Sequence, residues 1–436
     1  MEKRASPINA IWLYMILLAT IVAAYNGKMT ETTSASFDGA RDAAGIAIGL
    51  IGVMAFWLGL VKIAEAGGLM RLVARGLRPV MVRLFPDIPG DHPAMSAMIL
   101  NFAANSLGLA NAATPLGIKA MEELDRLNPR KGTATDAMCL FLAINTTHLA
   151  LLPTGVLGVR VAAGCANPAA IWVPSVLATL CAMVVAIALA KWFARREPLP
   201  SQVLVPSEAG AAPTEPEAAG ATDLVPPNSL ALSVATVAVI ALVAAIPYRL
   251  TLAARQGQLA LDHAGFTAAV AWLVPLLMCA FALFGYFRGV KVYEALTEGA
   301  KEGFQVAVRI IPYMAAIFVG IAMLRASGAL DAFVWAASPL TSLIGMPAEA
   351  LPMVFLRPLS GSGAFAFMSE ATKRDPNGFV AYLLAVMQGS TETTFYVLAV
   401  YFGAVGVRSV RYAVTLGLIA DAVGFAAALF FSRLCF

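Results

Sequence analysis

A chain of 436 residues that is 60% hydrophobic and only 13% charged, with a mean hydropathy of +0.78, carries more apolar surface than a water-soluble fold can hide. Its formal charge of +4 comes from Lys and Arg clustered between apolar runs, which reads as membrane topology and excludes a nucleic-acid surface. The five cysteines form no CxxC pair and only three histidines occur, so no zinc site, disulfide framework or cofactor is implied.

Lys3 and Arg4 precede an apolar run from Ile8 to Tyr25 that resembles a signal peptide, yet it continues into Asn26-Gly27-Lys28 without a small-residue cleavage site. It is expected as a retained first membrane helix. A polar stretch from Lys28 to Asp42 leads to a second apolar segment, Ala43 to about Ala66. Over Leu69 to Leu84, Arg71, Arg75 and Arg78 recur at three- and four-residue spacing opposite an apolar face, with Arg83 following, the pattern of a helix lying in the membrane interface. From Pro93 to Leu127 an apolar segment is interrupted by Asn101, Asn105, Gly108, Asn111, Thr114, Pro115 and Gly117. Helices are expected over Ala134–Val159 and Pro168–Trp192.

Glu197 to Asn228 holds seven prolines, five acidic residues and no Lys or Arg, and can neither span a membrane nor bury much surface. It is expected as a disordered cytoplasmic linker between membrane halves 1–196 and 229–436. The second half opens with helices near Ser229–Pro247 and Phe266–Phe287. Next come Gln305–Leu324, an amphipathic piece over Leu330–Ile344, a Gly- and Pro-broken segment over Pro347–Glu370, and helices near Phe379–Val405 and Arg411–Phe431.

The halves repeat one another. Gly39-Ala40 corresponds to Gly299-Ala300, and Ala66-Gly67-Gly68-Leu69 to Ser327-Gly328-Ala329-Leu330, a displacement of about 260 residues. Each half then brings an interfacial piece, a broken segment and a polar cluster, Ile144-Asn145-Thr146-Thr147 in the first and Gln388-Gly389-Ser390-Thr391-Glu392-Thr393-Thr394 in the second. Repeats of this kind are an architecture of secondary transporters. If the N-terminus is cytoplasmic and both broken segments re-enter, the basic clusters fall inside and the second repeat is inverted relative to the first. Lys373 and Arg374 strain that topology, because they would lie outside.

In hydrocarbon, unpaired peptide groups are tolerated only where protein or water takes them over, so the breaks mark candidate sites. The first break is expected over Asn105 to Pro115 and the second over Arg357 to Gly363. Half-helix termini there would present partial charges and free donors to a solute. The competing reading is that these small and polar residues only join helices. Ionisable residues inside apolar segments are the second signal, since each costs at least about 2.5 kcal/mol at the bilayer centre. Glu392 and Asp421 are the ion-coupling candidates, with Asp421 matched to Arg357 as a partner. His148 is a lone histidine read as structural, and Lys62 with Glu65 as a local pair. No GxSxG, HExxH or phosphate-binding GxxxxGK[ST] is present, so no enzyme activity and no ATP-driven step is expected.

Asn26-Gly27-Lys28, Ile51-Gly52-Val53-Met54-Ala55-Phe56-Trp57-Leu58-Gly59 and Leu107-Gly108-Leu109-Ala110-Asn111-Ala112-Ala113-Thr114-Pro115 resemble the spore maturation protein A family. Arg357-Pro358-Leu359-Ser360-Gly361-Ser362-Gly363-Ala364 and Met387 to Gly403 resemble the spore maturation protein B family. The chain looks like a natural fusion of the two, within the nucleoside recognition or gate domain family. The resemblance implies a membrane protein similar to segments of concentrative nucleoside transporters, and the fused form points away from a role in spores.

The expected protein is an all-α, polytopic inner-membrane secondary transporter or permease for a small polar solute or ion. It is expected to have two inverted-topology repeats, to be embedded in the lipid bilayer, and to leave a homo-oligomer open. Its site would lie between the broken segments, built from Asn105, Asn111, Thr114, Asn145, Thr146, Ser360, Ser362, Gln388, Ser390, Thr391 and Glu392. The alternative is a non-transporting scaffold in cell-envelope maturation.

Overall fold

The computed structural model describes residues 7–108, 110–147, 149, 151, 153–196 and 272–436, with scattered positions between 233 and 248. The linker expected over 197–228, most of the helix expected over Ser229–Pro247, and His148 lie outside the described residues. The first half runs α1 (Pro7–Asn26), α2 (Met29–Ala66), α3 (Leu69–Leu84), α4 (Pro93–Ser106), α5 (Ala110–Arg126), α6 (Asp136–Thr147), α7 (Thr154–Ala162) and α8 (Trp172–Arg196). The second runs α9 (Leu273–Phe287), α10 (Val292–Ser327), α11 (Ala329–Ile344), α12 (Leu351–Leu359), α13 (Gly361–Arg374), α14 (Phe379–Ser390), α15 (Thr394–Ala404) and α16 (Ala413–Cys435).

Among the described helices, α3 and α11 correspond most closely. α3 and α11 are both 16 residues long, each starts after a left-handed glycine, Gly68 at φ 83° and Gly328 at φ 88°, and each carries an internal proline, Pro79 and Pro339. Those glycines put the true register one residue from the expected alignment of Gly67 with Gly328. A left-handed φ suits a residue without Cβ, which lets the chain turn sharply between the long helix and the amphipathic one. At Gly328 the turn is 82°.

α2 and α10 run antiparallel along one another. A Cβ on Gly39 would come within 2.9 Å of the Phe318 carbonyl oxygen, and one on Gly299 within 2.5 Å of the Leu58 carbonyl oxygen. These are the same contact with the halves exchanged. Small residues let two backbones approach closely where lipid supplies no hydrophobic drive. The polar stretch Lys28–Asp42, expected ahead of the second helix, is itself the start of α2, because its buried face, with Thr32 and Gly39, extends the α2 seam. Lys62 pairs with Glu65 at 3.1 Å, as expected, and also with Glu302 across the seam at 3.4 Å.

The same exchange runs through the rest of the packing. α5 packs on α15 as α13 packs on α7, and α6 packs on α16 as α14 packs on α8. At one end the loops after α5 and α15 join, with Arg408 N–H donating to the Gly132 carbonyl at 2.8 Å and Arg411 bonding Asp136 at 2.6 Å. The loops after α7 and α13 join elsewhere, with Ala166 N–H donating to the Asn377 side chain at 2.9 Å.

Helix surfaces are inside out relative to a soluble protein. On α8 the inner face is Ala178, Ala182, Ala186 and Ala190, all buried, while Val184 on the outer face is 65% exposed. On α16 Gly417, Ala420, Gly424 and Ala428 face in and Phe430 and Leu434 face out. Small residues inside and large apolar ones outside suit lipid as the solvent. Among the described residues, three spans are long and apolar enough to cross a membrane: Met29–Ala66, Pro168–Arg196 and Ala413–Cys435.

Two spans expected as single helices are each a pair. Ala134–Val159 is interrupted between Thr147 and Thr154, and Phe379–Val405 between Ser390 and Thr394. The expected break over Asn105–Pro115 is shorter, confined to the residues between Ser106 and Ala110, and Asn111, Thr114 and Pro115 lie within α5. The break over Arg357–Gly363 shrinks to Ser360, extended at φ −151° and ψ 106°.

Candidate functional site

Among the described residues, four interruptions fall in these segments, two per half, and hydrogen bonds or close contacts string them together. At the first, Ser106 ends α4, and its carbonyl accepts from Leu151 N–H in the second at 3.0 Å. Asn105 reaches the same interruption, its amide donating to the Asn145 side-chain oxygen at 2.9 Å. The second meets the fourth through one backbone bond, Glu392 N–H to the Thr146 carbonyl at 2.9 Å. The third, at Ser360, touches the fourth where Gly361 lies against the Thr393 hydroxyl; a Cβ on Gly361 would come within 2.6 Å of it.

Local chemistry accounts for three of the interruptions. At the end of α6 the Thr146 and Thr147 hydroxyls donate back to the carbonyls of Ala143 and Ile144 at 2.8 and 3.0 Å. Such back-bonding offers the last carbonyls a partner other than the next turn. At the end of α14 Ser390 and Thr391 both donate to the Met387 carbonyl, at 3.2 and 3.4 Å. α13 starts with a side-chain cap, the Ser360 hydroxyl accepting from Gly363 N–H at 3.1 Å, with the Ser362 hydroxyl 3.5 Å away.

Arg357, 3% exposed on the last turn of α12, organises the fourth interruption. Its guanidinium donates to the Thr391 carbonyl, to the Thr393 hydroxyl at 3.0 Å and to the Gln388 carbonyl at 3.4 Å. Its ion partner is Glu392 at 3.7 Å, not Asp421 as expected. The planar fork of arginine reaches two carbonyls and a hydroxyl at once, which a lysine could not copy. Asp421 instead accepts from the Thr394 hydroxyl at 2.7 Å.

The structure thus brings together Asn105 with Asn145, Thr146 with Glu392, and Gln388 and Thr391 around Arg357, while Ser390 bonds Met387 and its carbonyl accepts from the Thr179 hydroxyl at 3.1 Å. Thr114 lies past the first interruption on α5, half-buried, and the side chain of Asn111 is outside the described residues. Two members went unforeseen. Tyr401 on α15 sets its hydroxyl 3.4 Å from both the Asn101 amide and the Asn145 side-chain oxygen, and presses on Gly117, where no Cβ would fit. Asn101 also donates to the Ala113 carbonyl at 2.8 Å. The signal for both was present, an Asn and a Tyr inside apolar runs, but their partners lie 12 to 300 residues away in sequence.

All four interruptions fall within the stretches that match a known family. The family model described as nucleoside recognition, or gate, matches residues 47–162 and 307–408, half of the chain. The chain belongs to the nucleoside recognition family. It is also 45% identical over 186 residues to spore maturation protein A of Bacillus subtilis (strain 168), covering 43% of this chain and 95% of that protein. A different part is 41% identical over 165 residues to spore maturation protein B of the same organism, covering 38% of this chain and 93% of that protein. Apolar helices and these relatives together make it a multi-pass membrane protein.

Proposed function

We propose that the protein is a permease of the cytoplasmic membrane for a small polar solute or ion, with two inverted repeats and a site where the four interruptions meet. The observation that carries this reading is the bond from Glu392 N–H to the Thr146 carbonyl, which ties the interruption of one half to that of the other. Crossed, interrupted helices leave peptide dipole ends near mid-membrane, where they orient a charged or polar solute in many transporters. Asn105, Asn145, Gln388 and Glu392 would supply side-chain contacts. Of these, Glu392 is a partly exposed carboxylate and Gln388 has a side-chain oxygen without a protein partner.

The exchanged contacts of α2 with α10 support inversion of the repeats, and the 82° turn into α11 supports an interfacial place for α3 and α11. The strain at Lys373 is eased by an ion pair with Asp42 on α2, and Arg325 pairs with Glu370 at 2.7 Å nearby. With the N-terminus inside, the remaining basic clusters stay cytoplasmic.

Reconstitution in liposomes tests the reading. Uptake is measured for a panel of labelled nucleosides, amino acids and inorganic cations, nucleosides first because the family bears their name. Wild-type protein should move at least one faster than empty vesicles, and Glu392→Gln should change that rate or its pH dependence. Unchanged transport in the variant removes Glu392 from the mechanism. A sealed vesicle that passes none of the panel overturns the permease reading in favour of a scaffold.

A further inference from the structure

α16 turns toward the fourth interruption a face made of Gly417, Asp421 and Gly424, spaced four and three residues apart so that they line up. Both glycines are pressed by the facing threonines. A Cβ on Gly417 would come within 2.5 Å of the Thr394 methyl, and one on Gly424 within 2.6 Å of the Thr391 methyl. The segment Thr391–Thr394 is therefore held against α16 on both sides of Asp421. Asp421 is 2% exposed, its Oδ2 accepts from Thr394, and its Oδ1 has no hydrogen-bond partner.

Charge around the carboxyl does not balance. The charged groups that face it are Arg357 from α12 and Glu392 from between α14 and α15. Arg357 forms its ion pair with Glu392 and gives its other donors to backbone and Thr393. On the other helices packed against α16, Asp136 and Cys139 belong to α6, Lys191 and the exposed Cys181 to α8, Tyr382 to α14, and Tyr396 and Tyr401 to α15. Asp136 is held by Arg411, and Lys191 donates to the Leu84 carbonyl at 2.5 Å. Among the described residues Arg357 is paired with Glu392, and Asp421 forms no ion pair. A buried carboxylate in that position is far costlier than the neutral acid.

We infer that Asp421 is a proton-binding site, holding a proton on Oδ1 while the segment Thr391–Thr394 rests on α16. It releases that proton to water when the segment moves away, leaving a carboxylate. The exchange is a simple acid dissociation and needs no other reactant. Because Thr394 is the first residue of α15, the same carboxyl that gains or loses the proton grips the start of the half-helix beside Glu392. The use of this proton to drive solute rests on the permease reading; its presence does not.

The test is pH-difference infrared spectroscopy on the full chain in lipid, reading the C=O stretch of protonated carboxylic acids. Wild type should lose one such band as pH rises. The band should be missing in Asp421→Asn, which keeps an acceptor for Thr394, and retained in Glu392→Gln. A band that survives Asp421→Asn or vanishes in Glu392→Gln overturns the inference, and so does a wild-type spectrum without one. In vesicles that move a solute, Asp421→Asn should keep solute exchange but lose acceleration by an inward proton gradient. Retained acceleration beside a positive infrared result removes the coupling and leaves the proton site standing.

Discussion

The two broken spans that cross at the centre, α6–α7 and α14–α15, solve one problem with different chemistry. At the α6–α7 break itself the described partners are neutral: Asn105 on Asn145, Leu151 N–H on the Ser106 carbonyl, and hydroxyls folded back on their own helix, while the ionised Asp136 and the buried Arg160 lie at the far ends of α6 and α7. At α14–α15 a buried guanidinium gathers the carbonyls of Gln388 and Thr391, and two carboxyls stand beside it. Related halves thus keep the geometry and diverge in charge. The lesson is that both halves keep the interruption, whereas among the described residues the ion pair at a break occurs only at α14–α15.

The strongest way to break that comparison is to remove the cation. Arg357→Leu takes the cation from beside Glu392 and leaves the Thr391 and Gln388 carbonyls without their guanidinium donor, so a loss of about 3 to 5 kcal/mol is expected. Thermal unfolding in detergent should reveal it as a large drop in midpoint, with Arg357→Lys recovering only part because a lysine lacks the fork. Stability close to wild type for the leucine variant would mean that the second interruption needs no charge, and the contrast would collapse. Asn145→Ala makes the matching change in the neutral half. It leaves the Asn105 amide without its acceptor, and about 1 to 3 kcal/mol is expected by the same measurement. An effect equal to that of Arg357→Leu would erase the difference between the halves.

Much of this architecture is legible in the sequence, and the parts that are not share a cause. The helical period and the Arg71, Arg75, Arg78 spacing mark α3, and the 260-residue displacement marks the repeat. Both are local or periodic signals. The interruptions in α6–α7 and α14–α15 are hidden because apolar runs adjoin them, Phe141 to Ile144 before the first and Phe395 to Val400 after the second, so each span reads as one helix. The Thr-rich clusters were visible as polar groups, but their use, capping a helix from within, depends on back-bonding that composition does not display. The polar Lys28–Asp42 stretch reads as a loop, yet Gly39 packs on Phe318 and tertiary contact overrides the local pattern. Arg357 was paired with the wrong carboxyl because the choice between Glu392 and Asp421 rests on distances between segments far apart in the chain.

The finest cut falls on Tyr401, where the second half reaches into the neutral network of the first. Its hydroxyl lies 3.4 Å from both Asn101 and Asn145, at the long limit of a hydrogen bond. Both neighbours hold a shorter bond elsewhere, Asn101 to the Ala113 carbonyl at 2.8 Å and Asn145 to Asn105 at 2.9 Å. Tyr401→Phe therefore removes a group without orphaning its partners, and about 0.5 kcal/mol is expected in the unfolding midpoint, the low end of a single hydrogen bond. The ring itself stays stacked on Phe141 at 5.8 Å, so of its packing only the hydroxyl's contact with Gly117 is lost. If the phenylalanine variant instead loses as much as Asn145→Ala, the hydroxyl is a main strut between the halves. The neutral interruption would then be held from the second half as firmly as the charged one is held by Arg357.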